Sequence, residues 1–219
     1  MITIAIDGPS GSGKSTIAQI LADKLDLCHV NAGELYRTIG VYLYENNIDA
    51  RNEEEVKKVL DNINIKVEFV NHEQNNYLNG VLVNDKLHTP IASDFSSRCA
   101  PFKSVREKVK AIQREIANNY GVVMEGRDIT TEILPNAKYK YYITASAEVR
   151  AKRRFDQLKL KDESLTFNQV LSDINERDYR DTHRELGLLT IASDAEVINT
   201  DNYTAEQVAA IICEKIKEN

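Results

Sequence analysis

One stretch, Gly8-Pro9-Ser10-Gly11-Ser12-Gly13-Lys14-Ser15, constrains this chain more than any other. It fits the pattern G-x-x-x-x-G-K-S/T, and its flanks are those the pattern needs. Before it runs Ile2-Thr3-Ile4-Ala5-Ile6, short, β-branched and apolar, which suits a strand buried on both faces of a parallel sheet. After it Ile17, Ile20, Leu21 and Leu25 recur at helical spacing. In a strand–loop–helix unit of this kind glycines let backbone N–H groups wrap a phosphate, and the helix N-terminus adds favourable charge. Lys14 is expected to bridge the β- and γ-phosphates of ATP and the Ser15 hydroxyl to hold Mg²⁺, with Thr16 ending the ATP site.

The same rhythm continues along the chain. Residues 27–30 read as a second strand, and Leu35, Ile39 and Leu43 place a helix after it. Asn52 with Glu55 resembles a capping arrangement for a helix over 53–62. Residues 122–124, 139–143 and 195–198 read as further strands. Helices are expected over 102–119, from Ser146 through Arg154, from Thr166 (with Gln169) to about 180, and after Thr204 (with Gln207). This alternation predicts an α/β chain on a parallel, doubly wound sheet. Residues 64–90 break it. Ile65-Lys66-Val67-Glu68-Phe69 alternates with period two, and Asn79-Gly80 between apolar segments is a hairpin signal. A small antiparallel sheet is expected as an insertion at about 63–92, either decoration or a flap over an acceptor site.

With 219 residues, one domain of about 1–219 carrying that insertion is the natural reading. Hydrophobic residues at 42% and charged ones at 28% fit a soluble globular protein, and a net charge of −6 argues against generic nucleic-acid binding. Cys28, Cys99 and Cys213 have no paired spacing and read as reduced packing thiols; the histidines show no ligand pattern. The N-terminal apolar run is too short for a membrane span and ends in the glycine loop. A cytoplasmic protein with no membrane partner is expected.

A regulatory GTPase is the main alternative use of such a loop. Its guanine-reading Asn-Lys-x-Asp and its switch Asp-x-x-Gly occur nowhere in the chain. A kinase acting on a small acceptor is favoured, and it needs cations converging on the transferred phosphoryl group. The candidates are Arg37, Arg106, Arg127, Arg150, Arg153, Arg154, Arg177, Arg180 and Arg184. A lone helical arginine is usually a solvated face, but several of these stand where strands of a parallel sheet end, the place such sheets bind ligands. The stretch 146–184 alternates acids with bases, as a salt-bridged helix pair or as a lid (about 150–184) over ATP.

Asp7-Gly8-Pro9-Ser10-Gly11-Ser12-Gly13-Lys14-Ser15, Gly33-Glu34-Leu35-Tyr36-Arg37, Val105-Arg106-Glu107, Glu125-Gly126-Arg127-Asp128 and Glu176-Arg177-Asp178-Tyr179-Arg180-Asp181 together resemble the bacterial cytidylate kinase family in order and spacing. The resemblance implies a nucleoside monophosphate kinase-like three-layer fold and a monomer that uses ATP and Mg²⁺ to phosphorylate CMP or dCMP. It implies that Arg37, Arg127 and Arg177 hold the acceptor phosphate, with Lys14, Arg127 and Arg177 catalytic. Arg106, Asp128 and Arg184 would read cytosine, Ser97 and Asp181 would contact the pentose, and Arg150, Arg153 and Arg154 would be the lid arginines on the ATP side. Three places depart from the family pattern. Asn31-Ala32 replaces Asp-Ser or Asp-Thr in the acceptor loop, Thr130 replaces a glycine, and Gly187-Leu188-Leu189 replaces Ala-Pro-Leu. Ala32 removes a hydroxyl that would accept from the cytosine amine, unless Ser12 or Thr38 takes its place. UMP, a non-nucleotide acceptor such as shikimate, or a catalytically weak nucleotide-binding protein are the alternatives.

Overall fold

A computed structural model describes residues 1–159 and 164–218. In chain order its elements begin β1 (Thr3–Asp7), α1 (Lys14–Leu25), β2 (Cys28–Asn31), α2 (Ala32–Glu45) and α3 (Glu53–Val59). The insertion follows as β3 (Ile65–Val70), β4 (Glu73–Leu78) and β5 (Val81–Leu82), leading into α4 (Asn84–Leu87) and α5 (Pro90–Cys99). Then come α6 (Lys103–Asn119), β6 (Val122–Gly126), a π-helical turn (Ile129–Ile133) and β7 (Tyr139–Thr144). The chain closes with α7 (Ala147–Lys159), α8 (Phe167–His183), β8 (Glu196–Asn199) and α9 (Ala205–Lys217).

The expected parallel sheet has the order β2-β6-β1-β7-β8. The strand that leads into the glycine loop lies at its centre, paired in parallel with β6 on one side and β7 on the other. That position explains the unbroken apolar run, because Ile4, Ala5 and Ile6 are fully buried. On one face, Ile4, Ile6 and Ile143 pack against Leu21 of α1 and Ile212 of α9. On the other, Ala5, Val30 and Met124 pack against Ile116 of α6 and against the π-helical turn. Three layers result. A second apolar cluster joins Leu35, Ile39 and Leu43 of α2 to Val56, Leu78 and Leu87, so the insertion shares a core with the helix beside it.

The antiparallel sheet runs from Ile65 to Leu82, with the helices α4 and α5 after it, and is built from two turns. Asn79-Gly80 joins β4 to β5, both residues at positive φ. Asn71-His72 does the same for β3 and β4, at φ 52° and 67°, without a glycine to announce it. The helix expected over 53–62 is α3 followed by a 3₁₀ turn. No helix among the described residues is long and apolar enough to cross a membrane.

Candidate active site

The loops that leave the carboxyl ends of β1, β2, β6 and β8 all open into one cleft of about 810 Å³. Its floor is the glycine loop. Gly8 leaves β1 so close to β7 that a Cβ would collide with the Ile143 carbonyl. Gly13 caps α1 in the left-handed region, at φ 94°.

Lys14 folds back into this loop, its Nζ donating to the Pro9 carbonyl at 2.7 Å. Burial first, and the neighbouring Arg127 cation second, push the Lys14 pKa down to about 7, against the pull of Glu125. Ser15 Oγ donates to Glu125 Oε1 at 2.6 Å. The loop is braced from outside. Thr200 Oγ1 donates to the Ser12 carbonyl at 3.1 Å, and Arg153 grips Thr200 through its carbonyl (2.7 Å) and its hydroxyl (3.0 Å).

Lys14, Ser15, Thr16, Arg153 and Arg154 line the cleft with Ser10 to Gly13, while Gly8 and Pro9 form the stem of the loop outside the lining. Arg150 also lies outside it. Its buried guanidinium donates to the carbonyls of Ala145 (2.9 Å) and Ser10 (3.2 Å) and to Asp178 Oδ2 (2.6 Å). The structure therefore places Arg150 as a strut between α7, α8 and the glycine loop.

Arg37, Arg127 and Arg177 share the cleft with the cradle. Asp181 holds Arg127 at 2.7 Å, whereas the side chains of Arg37, Arg154 and Arg177 have no hydrogen bond or ion pair with another described residue. Their charges weigh on one another. Crowding by protein pushes the Arg177 pKa down to about 10, with Arg127, Arg37 and Arg154 adding to the fall, although its side toward the cleft stays open to solvent. The Arg37 pKa falls for the same reasons, with Glu34 and Glu125 opposing. Cations without a paired counter-charge, crowded into one cleft, make it suited to an anion.

Beyond them the buried side chains of Arg106 and Asp128 pair, and Arg184 donates to the Gly187 carbonyl at 2.5 Å. Burial raises the Asp128 pKa against the pull of Arg106. Burial also acts on Asp181, but Arg127, Arg184 and Arg177 outweigh it and hold that carboxyl below its usual range. Ala32 and Ser97 line the same region, with Ser93 and Ser96 beside Ser97 on α5. Both hydroxyls that could substitute at Ala32 are fully buried. Thr38 donates to the Glu34 carbonyl (2.9 Å), and Ser12 donates to the Pro9 carbonyl (3.1 Å).

The other departures have physical reasons. Thr130 gives both its amide (2.7 Å) and its hydroxyl (2.6 Å) to Asp7 Oδ2, helping to compensate a buried carboxylate. Burial raises the Asp7 pKa to about 6, with those hydrogen bonds opposing. Gly187, at φ +64°, lies where a Cβ would collide with the Arg106 guanidinium. Asp7 and Glu125 stand in the sequence strings quoted above without a role attached, and Thr200 stands in none of them. The readable signal was an acid at the carboxyl end of an otherwise apolar buried strand, which both β1 and β6 carry.

A glycine loop that cradles phosphate, with cations and a second polar pocket facing it across one parallel-sheet crevice, defines a P-loop phosphotransferase. The profile of the cytidylate kinase family matches residues 4–218, and the chain belongs to that family. It is 44% identical over 213 residues to the cytidylate kinase of Caldicellulosiruptor saccharolyticus, covering 97% of this chain and 94% of that one. A cytidylate kinase from Clostridium botulinum is 42% identical over 218 residues, covering 100% and 99%. Among solved structures, an uncharacterized protein from Eubacterium ventriosum superposes with TM-score 0.58 at 15% identity, over all of both chains. Shikimate kinase from Bacteroides thetaiotaomicron superposes with TM-score 0.50 at 15% identity, over 99% and 98%. These two share the fold.

Proposed function

We propose that the protein transfers the γ-phosphoryl group of ATP to CMP or dCMP, releasing ADP and CDP or dCDP. The observation that carries this reading is the convergence of Lys14, Arg37, Arg127, Arg154 and Arg177 on one cleft, beside the paired Arg106 and Asp128. A monophosphate held by Arg37, Arg127 and Arg177 would put an already ionised oxygen in front of the γ-phosphorus. That oxygen bonds to phosphorus as the bond to the β-phosphate oxygen breaks, and ADP leaves. No general base is required. Lys14, Arg127 and Arg177 stabilise the charge spread over the moving group, and positioning does most of the remaining work.

Asp128 can accept from the cytosine amine, and Arg106 and Arg184 can donate to the ring acceptors. Ser97 and Asp181, which line the same cleft, would contact the pentose. Ser15 and Glu125 present hard oxygen donors suited to Mg²⁺. Among the described residues no group of three or more His, Cys, Asp or Glu could hold a metal, which fits an ion that takes most of its ligands from nucleotide and water. When bound, Mg²⁺ neutralises charge on the β- and γ-phosphates. The helices α7 and α8, read as a lid, would bring Arg153 and Arg154 to the donor side, and the sheet β3–β5, which does not itself line the cleft, would serve the acceptor side through α2.

Coupled ADP release against CMP, dCMP, UMP, AMP and shikimate tests the proposal. CMP or dCMP should give the highest kcat/KM. A tenfold preference for another acceptor would overturn the assignment of the base pocket, and binding of ATP without turnover would point to a nucleotide-binding protein.

A further inference from the structure

The insertion is connected to α2 by polar groups in a place where apolar packing would have sufficed to cover it. Gln74, Asn76 and Leu78 alternate on the buried side of β4. Leu78 joins the apolar cluster, and the two amides do something else. Gln74 Oε1 accepts from the backbone N–H of Asn31 at 2.8 Å, at the residue that caps α2. Gln74 Nε2 donates to Asn76 Oδ1 at 2.6 Å, and Asn76 Nδ2 donates to Glu34 Oε2 at 2.9 Å. Asn84 completes the set from the far side. Its Oδ1 accepts from the backbone N–H of Asn76 at 2.7 Å, and its Nδ2 donates to the backbone carbonyl of Gln74 at 2.8 Å.

Asn76 is fully buried and Gln74 is 7% exposed, so these bonds form in a low-dielectric interior where geometry is enforced. Apolar contacts tolerate sliding, whereas a satisfied amide chain allows one register. What that register fixes is the start of α2. Arg37 lies one helical turn beyond Glu34 and extends into the cleft. Its guanidinium has no hydrogen bond to another described residue, so the helix that bears it sets its placement.

The geometry points to Gln74 and Asn76 as positioning residues for the acceptor. Acting through Asn31 and Glu34, they set where Arg37 meets the acceptor phosphate. The inference rests on the reading above that Arg37 binds that phosphate. It also makes the insertion and the first turn of α2 one mechanical unit, not a flap hinged against its neighbour.

The test begins with Asn76→Leu, which removes the amide at similar size. The KM for CMP should rise about tenfold, as loss of an outer-layer partner typically does, while the KM for ATP stays within twofold. In an Arg37→Met background Asn76→Leu should then cost little more, because the residue it positions is gone. If Asn76→Leu does not accumulate as folded protein, Gln74→Met carries the same measurements, since it removes the hydrogen bonds to Asn31 and Asn76 at similar size and adds no charge. Equal rises in both KM values, an unchanged KM for CMP, or a loss that adds in full on Arg37→Met would each overturn the inference. Failure of the functional reading looks different. The unmodified protein would then not phosphorylate CMP, or Arg37→Met alone would leave the KM for CMP unchanged.

Discussion

Ser15 Oγ gives its hydrogen to Glu125 Oε1 at 2.6 Å, across the junction of the two central strands β1 and β6. A hydroxyl that donates to a carboxylate keeps its lone pairs for something else, and the cradle lies beside it. Glu125→Gln preserves the acceptor for Ser15 and removes the charge. We expect kcat to fall about 10- to 100-fold and half-maximal activity to need more Mg²⁺, the usual consequence of losing such a partner. Titrating activity against Mg²⁺ at saturating ATP and CMP checks this. An unchanged Mg²⁺ requirement would reduce Glu125 to a hydrogen-bond acceptor for Ser15.

Lys14 is a buried cation with a carbonyl for its near partner, and its pKa falls to about 7. A folded-state pKa below the unfolded one means the unfolded chain binds more protons between about pH 7 and 10.5, so this group's contribution to stability rises with pH across that window. Lys14→Met should therefore raise the melting temperature of the ligand-free protein by a few °C at pH 7, and the gain should shrink toward pH 10. Its kcat should fall by about 10²- to 10³-fold, because a cation on the moving phosphoryl group is lost. Thermal melts at both pH values and steady-state rates decide it. Near-normal turnover in the folded variant would misplace the active site.

Elements governed by short-range chemistry were legible in the sequence. The glycine loop between an apolar run and a helical pattern, the Asn79-Gly80 turn and the capping pairs at Thr166 and Thr204 all stand where local physics put them. Elements specified from a distance were not. The π-helical turn takes its support from Asp7, which accepts from Ile129 N at 2.9 Å across 122 positions of chain. The helix α5 hid its amphipathic pattern because Ser93, Ser96 and Ser97 face a cleft, although Thr89 before Pro90 was a readable start signal. The arginines could be found in the sequence but not sorted. Only tertiary structure commits Arg106, Arg127 and Arg150 to Asp128, Asp181 and Asp178, leaving Arg37, Arg154 and Arg177 to the cleft.

The helices α7 and α8 share a small apolar cluster around Ala151, Val170 and Ile174, while Arg150 ties them to each other and to the glycine loop. Segments with small cores open easily and suit a lid. A bisubstrate analogue should slow amide exchange in α7 and α8 more than ATP alone does. CMP alone should protect β4 and the first turn of α2 together, since shared hydrogen bonds join them. Equal protection of β4 by ATP alone would remove the insertion from the acceptor side.

Ala32 bears on which base the pocket prefers. It lines the same cleft as Asp128, beside Gly126, and offers no acceptor, while Thr38 is fully buried outside the cleft lining and Ser12 is fully buried in the glycine loop against the Pro9 carbonyl and Lys14. Cytosine differs from uracil by an exocyclic amine that can donate, so the amine is left with Asp128 as the acceptor that discriminates. A neutral hydrogen bond contributes roughly 0.5–1.5 kcal/mol net, and water can replace part of it. Ala32→Ser should therefore raise the ratio of kcat/KM for CMP over UMP by about two- to tenfold. The gain should lie in the CMP value, since a hydroxyl that gives its proton to a neighbouring carbonyl, as Ser12 and Thr38 do, can accept from the amine and has no proton left for the carbonyl that UMP presents there. Rates for both substrates in both proteins measure it. An unchanged ratio would mean that residue 32 faces away from the base, and that Arg106, Asp128 and Arg184 read cytosine unaided.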